Sequence, residues 1–368
     1  MLTDVTIEGL RGVGRVELGF VPGQRVYVLF GENGVGKTKC LEALYQSLLA
    51  ANKEPLLSVL IDDSGLRIGN VSPKEWFKWV MERIQPEPDV HQLPVLLLGA
   101  ARRASLNPPD RPIDARPLGS FERRRQEYFD SLSQPLRSGR LDGLGMTGDT
   151  REWFVRRAQS TNPYQKSADA RSVEIDAVLA MLHEMEPSID AKALQIDGDG
   201  QVFLRVAGRE RELGELSSGF AALLKMVQAI IAGYAAFTNA VQLQNVPGIV
   251  LIDEIDAHLH PSWQAQIIPC LKDLLPDTIF YIATHSPLVL TQLKDGEAYL
   301  LERGEDDVVR SRVVEGTSRR LFVDMLKSAF GVNTNQLKLQ SMERNPEQNQ
   351  KAKRRLLELL ESTREAKV

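Results

Sequence analysis

The sequence predicts an α/β fold, in which helices cover a sheet that presents its polar chemistry at the strand ends, and three stretches predict it. Residues 31–38 read GENGVGKT, with an apolar run before them at 26–30 and amphipathic periodicity after them over 37–49. Strand, glycine-rich loop and helix, in that order, are the context this spacing requires. Residues 249–252 are apolar and end in two adjacent carboxylates, Asp253 and Glu254, as expected of a buried strand that delivers charge at its C-terminal edge. Residues 216–220, LSSGF, open the apolar segment AALLKMVQAII, a helix whose start serines can cap.

Taken in order, residues 5–8, 13–18 and 26–30 read as strands, punctuated by Gly12, Gly14 and the Pro22-Gly23 turn. The phosphate loop and its helix complete a first lobe, residues 1–49. Residues 50–205 read as an insertion, a helical lid. It contains a helix at 73–84, a buried strand at 95–98 and a loop rich in proline (Pro108, Pro109, Pro112, Pro117). Helices at 121–132, 151–159 and 172–185 follow, with a glycine-rich break at 139–148. Residues 206–303 return to alternating elements: the LSSGF loop and a helix to about Tyr234, the strand at 249–252, a helix from Pro261 and a strand at 278–283. The last division, 304–368, holds the end of a hairpin (298–302 with 308–314) and a helical C-terminal extension.

Composition narrows the class. With 43% hydrophobic and 26% charged residues the chain has the material of an ordinary globular core. A formal charge of -4 gives no global polybasic signature, so any nucleic-acid surface has to be local. Such a surface is available: between Arg102 and Arg171, thirteen Arg and one Lys face nine acidic residues, with Arg102, Arg103, Arg123, Arg124 and Arg125 clustered. No uninterrupted apolar stretch approaches the roughly 18 residues of a membrane span and no leader opens the chain, so a cytoplasmic protein without membrane contact is expected. Cys40 and Cys270 are far apart in sequence and lack metal-ligand spacing; both read as packed thiols.

The chemistry of the motifs points to a nucleotide. A triphosphate needs many donors within a few ångströms, and Gly31, Gly34 and Gly36 let the backbone around Asn33 and Val35 wrap with its amides inward. Lys37 is placed to bridge the β and γ phosphates, and the Thr38 hydroxyl to ligate Mg²⁺. Asp253 is placed to share that metal shell, and Glu254 to act as general base on the attacking water. Ser217, Ser218 and Gly219 gather donors at a helix start, which taken alone is a cap and in this company a phosphate site. His285, after the strand at 278–283, can donate to a γ-phosphate. His258 and His260 alternate as zinc ligands do, yet with no further Cys or His nearby they read as structural. The triplet Glu305, Asp306 and Asp307 reads as solvated charge at a hairpin turn.

With these residues the chain resembles a P-loop NTPase with an ABC-type ATPase head, of the branch that includes RecF-like, Rad50-like and overcoming-lysogenization-defect proteins. The resemblance covers residues 1–49 and 206–303. Within the branch, DEIDAHLHPSWQ (253–264), the compact size and, weakly, Phe330-Gly331-Val332 are most similar to the stand-alone ATPases of bacterial anti-phage systems, such as Septu and retron-associated subunits of the AAA family. The resemblance implies ATP and Mg²⁺ as ligands and a homodimer, or a higher assembly of dimers, in which Ser217, Ser218 and Gly219 reach the partner's ATP. It implies that Asp256 lies in the loop joining the two sites and that Arg11, in Leu10-Arg11-Gly12, approaches the nucleotide. It further implies a switch acting on an effector, a nuclease or toxin, or alternatively a RecF-like DNA-maintenance ATPase touching DNA through the five clustered arginines. Two departures stand out: LSSGF replaces the transporter-like LSGGQ, and no glutamine follows the 95–98 strand, which runs into GAARR. Which residue takes that glutamine's place is left open. The stretch after the hairpin is too short for the C-terminal nuclease domain of the overcoming-lysogenization-defect relatives.

Overall fold

Six consecutive buried residues make β3, Val26–Gly31, the strand around which the sheet is organised. A run without charged side chains that is buried throughout has to be covered on both faces, and each Val, Leu or Phe withdrawn from water contributes about 1.5–3 kcal/mol. In the computed structural model, which describes residues 3–54, 84–85, 89–106 and 116–315, β3 lies inside a nine-stranded sheet. The strands are β1 (Asp4–Leu10), β2 (Gly14–Gly19), β3, β4 (Ile84–Gln85), β5 (Val95–Leu98), β9 (Gly248–Ile252), β10 (Thr278–Ala283), β11 (Ala298–Arg303) and β12 (Val309–Val313). Their order across the sheet is β4-β1-β2-β12-β11-β3-β10-β9-β5. The five from β11 to β5 are parallel, so their C-terminal ends lie along one edge. The hairpins β1–β2 and β11–β12 are antiparallel.

Alternation along the strands sorts the core into two faces. Tyr27 and Leu29 of β3, Leu251 of β9, Tyr281 of β10 and Tyr299 of β11 pack with Leu41, Leu44 and Tyr45 of α1 (Lys37–Ala50). Phe129, Leu132 and Leu136 of α2 (Phe121–Ser138) join the same cluster. Further helices are α3 (Thr150–Gln159), α4 (Ser172–Met185) and α5 (Ser218–Phe237); α4 packs on α5, and α5 on β5. The approach of α5 is close enough that a Cβ on Gly233 would lie 2.5 Å from a Leu96 methyl. By length and hydropathy α5 would suffice to cross a bilayer, but 89% of that window is buried inside the fold. It is the central core helix.

Three differences from the expected elements have physical causes. Val95–Leu98 pairs with β9 as a strand of the main sheet, and Gly99 and Ala101 go on to donate to the carbonyls of Leu144 and Asp142. The segment 50–205 is therefore threaded through the head at this strand. A second sheet of β6 (Gln195–Ile196), β7 (Val202–Val206) and β8 (Arg209–Glu212) precedes α5; β8 reads RERE, and no apolar alternation announces it. The helix expected from Pro261 breaks into α6 (Pro261–Gln264) and α7 (Ile267–Leu274). Pro269 has no N–H for the Ala265 carbonyl and its ring crowds that oxygen, so the break falls there. A short α8 (Pro287–Leu290) follows β10. The expected helix at 73–84 lies outside the described residues except for Ile84, which is in β4. Pro108, Pro109, Pro112, Phe330-Gly331-Val332 and the C-terminal extension also lie outside the described residues.

Candidate functional site

The parallel strands β3, β9 and β10 end side by side, and the predicted loops leave from those ends. Gly31 closes β3 at φ 149°, and a Cβ there would lie 2.6 Å from the Leu301 carbonyl oxygen, so only glycine fits. Gly34 and Gly36 turn the loop at φ 82° and 111°. A Cβ on Gly36 would meet both Val13 methyls at 2.8 Å, which places the turn bearing the exposed Arg11 against the loop. Asn33 and Gly34 face solvent while Val35 is buried. Lys37 folds back across the loop, its Nζ donating to the carbonyls of Gly31 at 3.0 Å and Glu32 at 2.8 Å. Burial pushes its pKa down to about 8, against the pull of Asp253, Glu254 and Asp256.

The Thr38 hydroxyl lies 3.0 Å from each oxygen of the Asp253 carboxylate. Burial pushes the Asp253 carboxyl up to about 6; the Thr38 bond opposes this and the Glu254 charge adds to it. A hydroxyl and a buried carboxylate side by side, beside the glycine-turned loop, form a donor set that suits a small divalent cation. Glu254 is exposed and sits at φ 44°, a left-handed conformation that costs about 1–2 kcal/mol for a residue with a Cβ. Asp256 accepts from the Thr284 hydroxyl and from the His285 amide at 3.2 Å, fastening the loop after β9 to the end of β10. His285 is half-buried there, its pKa lowered first by burial and then by the Lys37 charge. Lys37, Thr38, Asp253, Glu254, Asp256 and His285 thus converge at one sheet edge.

The LSSGF loop stands at a different place. Ser217 caps α5 by accepting from the Phe220 amide at 3.3 Å, and Ser218 is exposed at the first turn. Gly219 lies under the loop that follows β9: a Cβ would come within 2.8 Å of the His258 carbonyl and 3.1 Å of the Trp263 ring. Together with Glu186, His260 and Ser262 these residues line a cleft of about 420 Å³, and residues 31–38 take no part in its walls. Trp263 Nε1 donates to Glu186 at 3.1 Å across it. His260 caps α6 through the Ser262 amide at 3.3 Å, the structural role its spacing allowed. Among the described residues no cluster of His, Cys, Asp or Glu is built like a metal site.

The arginine cluster is corrected. Arg103 is 1% exposed and Arg124 8%, so neither presents a guanidinium to a nucleic-acid phosphate. Arg103 donates to the carbonyls of Leu98, Gly99, Asp253 and Glu254. Arg124 donates to the Gly119 carbonyl and the Asn239 side chain, and Arg125 is ion-paired with Glu54. Arg102 and Arg123 are exposed, Arg123 with Glu127 as a partner. Arginines adjacent in sequence point to different sides of a chain that is being packed, and contiguity alone cannot separate a surface stripe from a set of buried staples.

Comparison with known proteins shows what the chain is similar to. Residues 151–291 match the family described as "AAA domain, putative AbiEii toxin, Type IV TA system". The chain is 37% identical over 106 residues to the Septu protein PtuA of Bacillus mycoides (strain KBAB4), covering 29% of this chain and 14% of the relative. It is 23% identical over 320 residues to the Septu protein PtuA of Bacillus thuringiensis, covering 83% of this chain and 77% of the relative. The retron Ec83 probable ATPase of Escherichia coli is 39% identical over 92 residues, 25% of this chain and 17% of the relative. Two of these matches thus span less than a fifth of the relative's length. The expected resemblance to AAA-type ATPases of anti-phage systems stands on these relatives, and the α/β fold with its phosphate loop is that of a P-loop ATPase.

Proposed function

We propose that the chain is an ATP-binding and hydrolysing dimeric switch that controls a partner effector, a nuclease or toxin, in anti-phage defence inside the cytoplasm. One observation carries the reading. Phosphate loop, Thr38–Asp253 pair and Glu254 meet at one sheet edge, whereas the Ser217–Gly219 donors open into a separate cleft that lacks the loop. A site of this kind is completed by the cleft of a second copy. The loop amides and Lys37 would receive the β and γ phosphates, with the lysine exchanging its two carbonyl partners for phosphate oxygens. Thr38 and Asp253 would hold Mg²⁺, which when bound would neutralise phosphate oxygens. Glu254 would take the proton of the attacking water as its oxygen bonds the γ phosphorus and the bond to the β-phosphate oxygen breaks, releasing ADP and phosphate. His285 would donate to the γ-phosphate, and Arg11, Asn33 and Val35 would border the nucleotide. Ligand affinity that differs between open and closed dimers then drives the switch.

Mass in solution with and without ATP and Mg²⁺, for the parental chain and Glu254→Gln, tests the reading. The variant is expected to bind ATP, to hydrolyse it at least about 100-fold more slowly, and to accumulate as a closed dimer. A mass indifferent to nucleotide in both proteins would replace the switch with a fixed scaffold. The alternative, a RecF-like ATPase gripping DNA through the arginine cluster, loses Arg103 and Arg124 to the interior and has less support.

A further inference from the structure

The guanidinium of Arg103 is sealed in the fold, and the acceptors it bonds are main-chain carbonyls. Two segments supply its acceptors: Leu98 and Gly99, at the end of β5, and Asp253 and Glu254, at the end of β9. The last two are the peptide carbonyls of the two residues to which metal binding and proton abstraction are assigned above. Glu254 holds a left-handed backbone, and its carbonyl is fixed from both sides, by Arg103 and by the Ala257 amide at 2.8 Å. The direction in which the Glu254 carboxylate leaves the strand therefore depends on a donor fork that reaches two successive carbonyls at once. A single ammonium cannot reproduce that geometry.

The loop that carries Arg103 is gripped from its other side by a second buried cation. Lys225, 2% exposed, extends Nζ to the carbonyls of Ser105 at 2.6 Å and Arg102 at 3.3 Å. Arg102 itself turns at φ 61°. Lys225 belongs to α5, two helical turns beyond Ser218, so the helix that presents the LSSGF donors is bonded to the loop that holds the Glu254 backbone. Lys225 reaches this loop, and Arg103 reaches from it to the end of β9, through main-chain carbonyls, which hold a fixed geometry without neutralising the charge.

We propose that Arg103 is a positioning residue for Glu254, and that Arg103 and Lys225 make residues 99–106 a strut coupling the Glu254 carboxylate to the helix that carries the Ser217–Gly219 donors. The strut fills the place after β5 where the sequence has no glutamine. In the proposed dimer it would let occupancy of the cleft by the partner's nucleotide set the carboxylate in the chain's own site. This rests on the reading of Glu254 as general base, and the experiment separates the two.

The full chain is compared with Arg103→Lys, Lys225→Met and Glu254→Gln for melting midpoint, ATP affinity, kcat and KM, and for amide hydrogen exchange without nucleotide. Arg103→Lys is expected to lower the midpoint modestly and keep the parental ATP affinity, while kcat falls at least ten-fold at nearly constant KM, because a small misplacement of a catalytic group is costly. Faster exchange is expected at 253–258 in Arg103→Lys, and at both 253–258 and 217–222 in Lys225→Met. Parental kcat in Arg103→Lys, or a kcat that falls only in step with midpoint and affinity, overturns the positioning role. Exchange that changes within 99–106 alone overturns the coupling. If Glu254→Gln hydrolyses ATP as the parent does, the base assignment fails by itself, and the exchange result still decides whether the strut exists.

Discussion

Asp253 illustrates how a residue poised for a ligand burdens the fold that carries it. Its carboxyl is 5% exposed and its pKa is pushed from 3.8 up to about 6 by burial, so the folded chain holds this proton more tightly than the unfolded chain. The sign follows: stability tied to this group is full below about pH 4 and is lost as pH rises through about 6, a swing of about 3 kcal/mol for two pKa units. Asp253→Asn is therefore expected to raise stability in urea at pH 7.5 by up to about 3 kcal/mol, with the advantage gone below pH 4. An Asn variant no more stable than the parent at pH 7.5 would contradict that account. Motif reading singled out Lys37, Thr38, Asp253 and Glu254, which lie together at one sheet edge, because glycine spacing and a strand-end carboxylate pair are written locally. It misplaced Arg103 and Arg124, because what a guanidinium bonds to depends on segments 150 and 115 residues away.

At the scale of elements, a buried charge cluster joins what the sequence left as separate helices. Glu174 of α4 is fully buried, accepting from Arg157 of α3 at 2.5 Å and from Arg171 at 2.7 Å. Arg171 goes on to donate to the carbonyls of Asn239 at 3.2 Å and Ala240 at 3.1 Å, just past α5. Burial alone would raise the Glu174 carboxyl, but the two guanidiniums outweigh it and hold its pKa below the usual value. Removing one partner strands the others, so Glu174→Ala is expected to cost about 3–5 kcal/mol by chemical denaturation. A loss under about 1 kcal/mol would mean that water replaces the carboxylate. The helices themselves were legible: the bounds of α4 and of β5 were those read from periodicity, and α2 ran on past Leu132 through Pro135 to its glycine cap. β8 was not legible, since a short strand with charged, exposed residues owes its form to its pairing with β7.

For the whole molecule, the separation of phosphate loop and cleft predicts complementation in trans. Lys37→Ala and Ser218→Arg are each expected to abolish ATP turnover, while an equal mixture should recover roughly a quarter of it, because half the dimers then carry one intact site of two. No recovery, with mixed dimers shown to form, would place both half-sites in one chain. The order of strands in the sheet has another outcome, felt before any ligand arrives. Val28 of β3 pairs with Ile282 on one side and aligns with Ala298 on the other. At ribosomal rates of about 5–20 residues per second, the segment VYVLFG waits on the order of ten seconds or more for either neighbour to be synthesised. Through that interval an uncharged, β-prone segment has no sheet to enter, and the nascent chain is open to mispairing with its copies. Completion of the sheet is then a late, non-local event. Cells producing this chain in quantity should need chaperone cover during elongation, at a stage when no part of the nucleotide site beyond the loop itself yet exists.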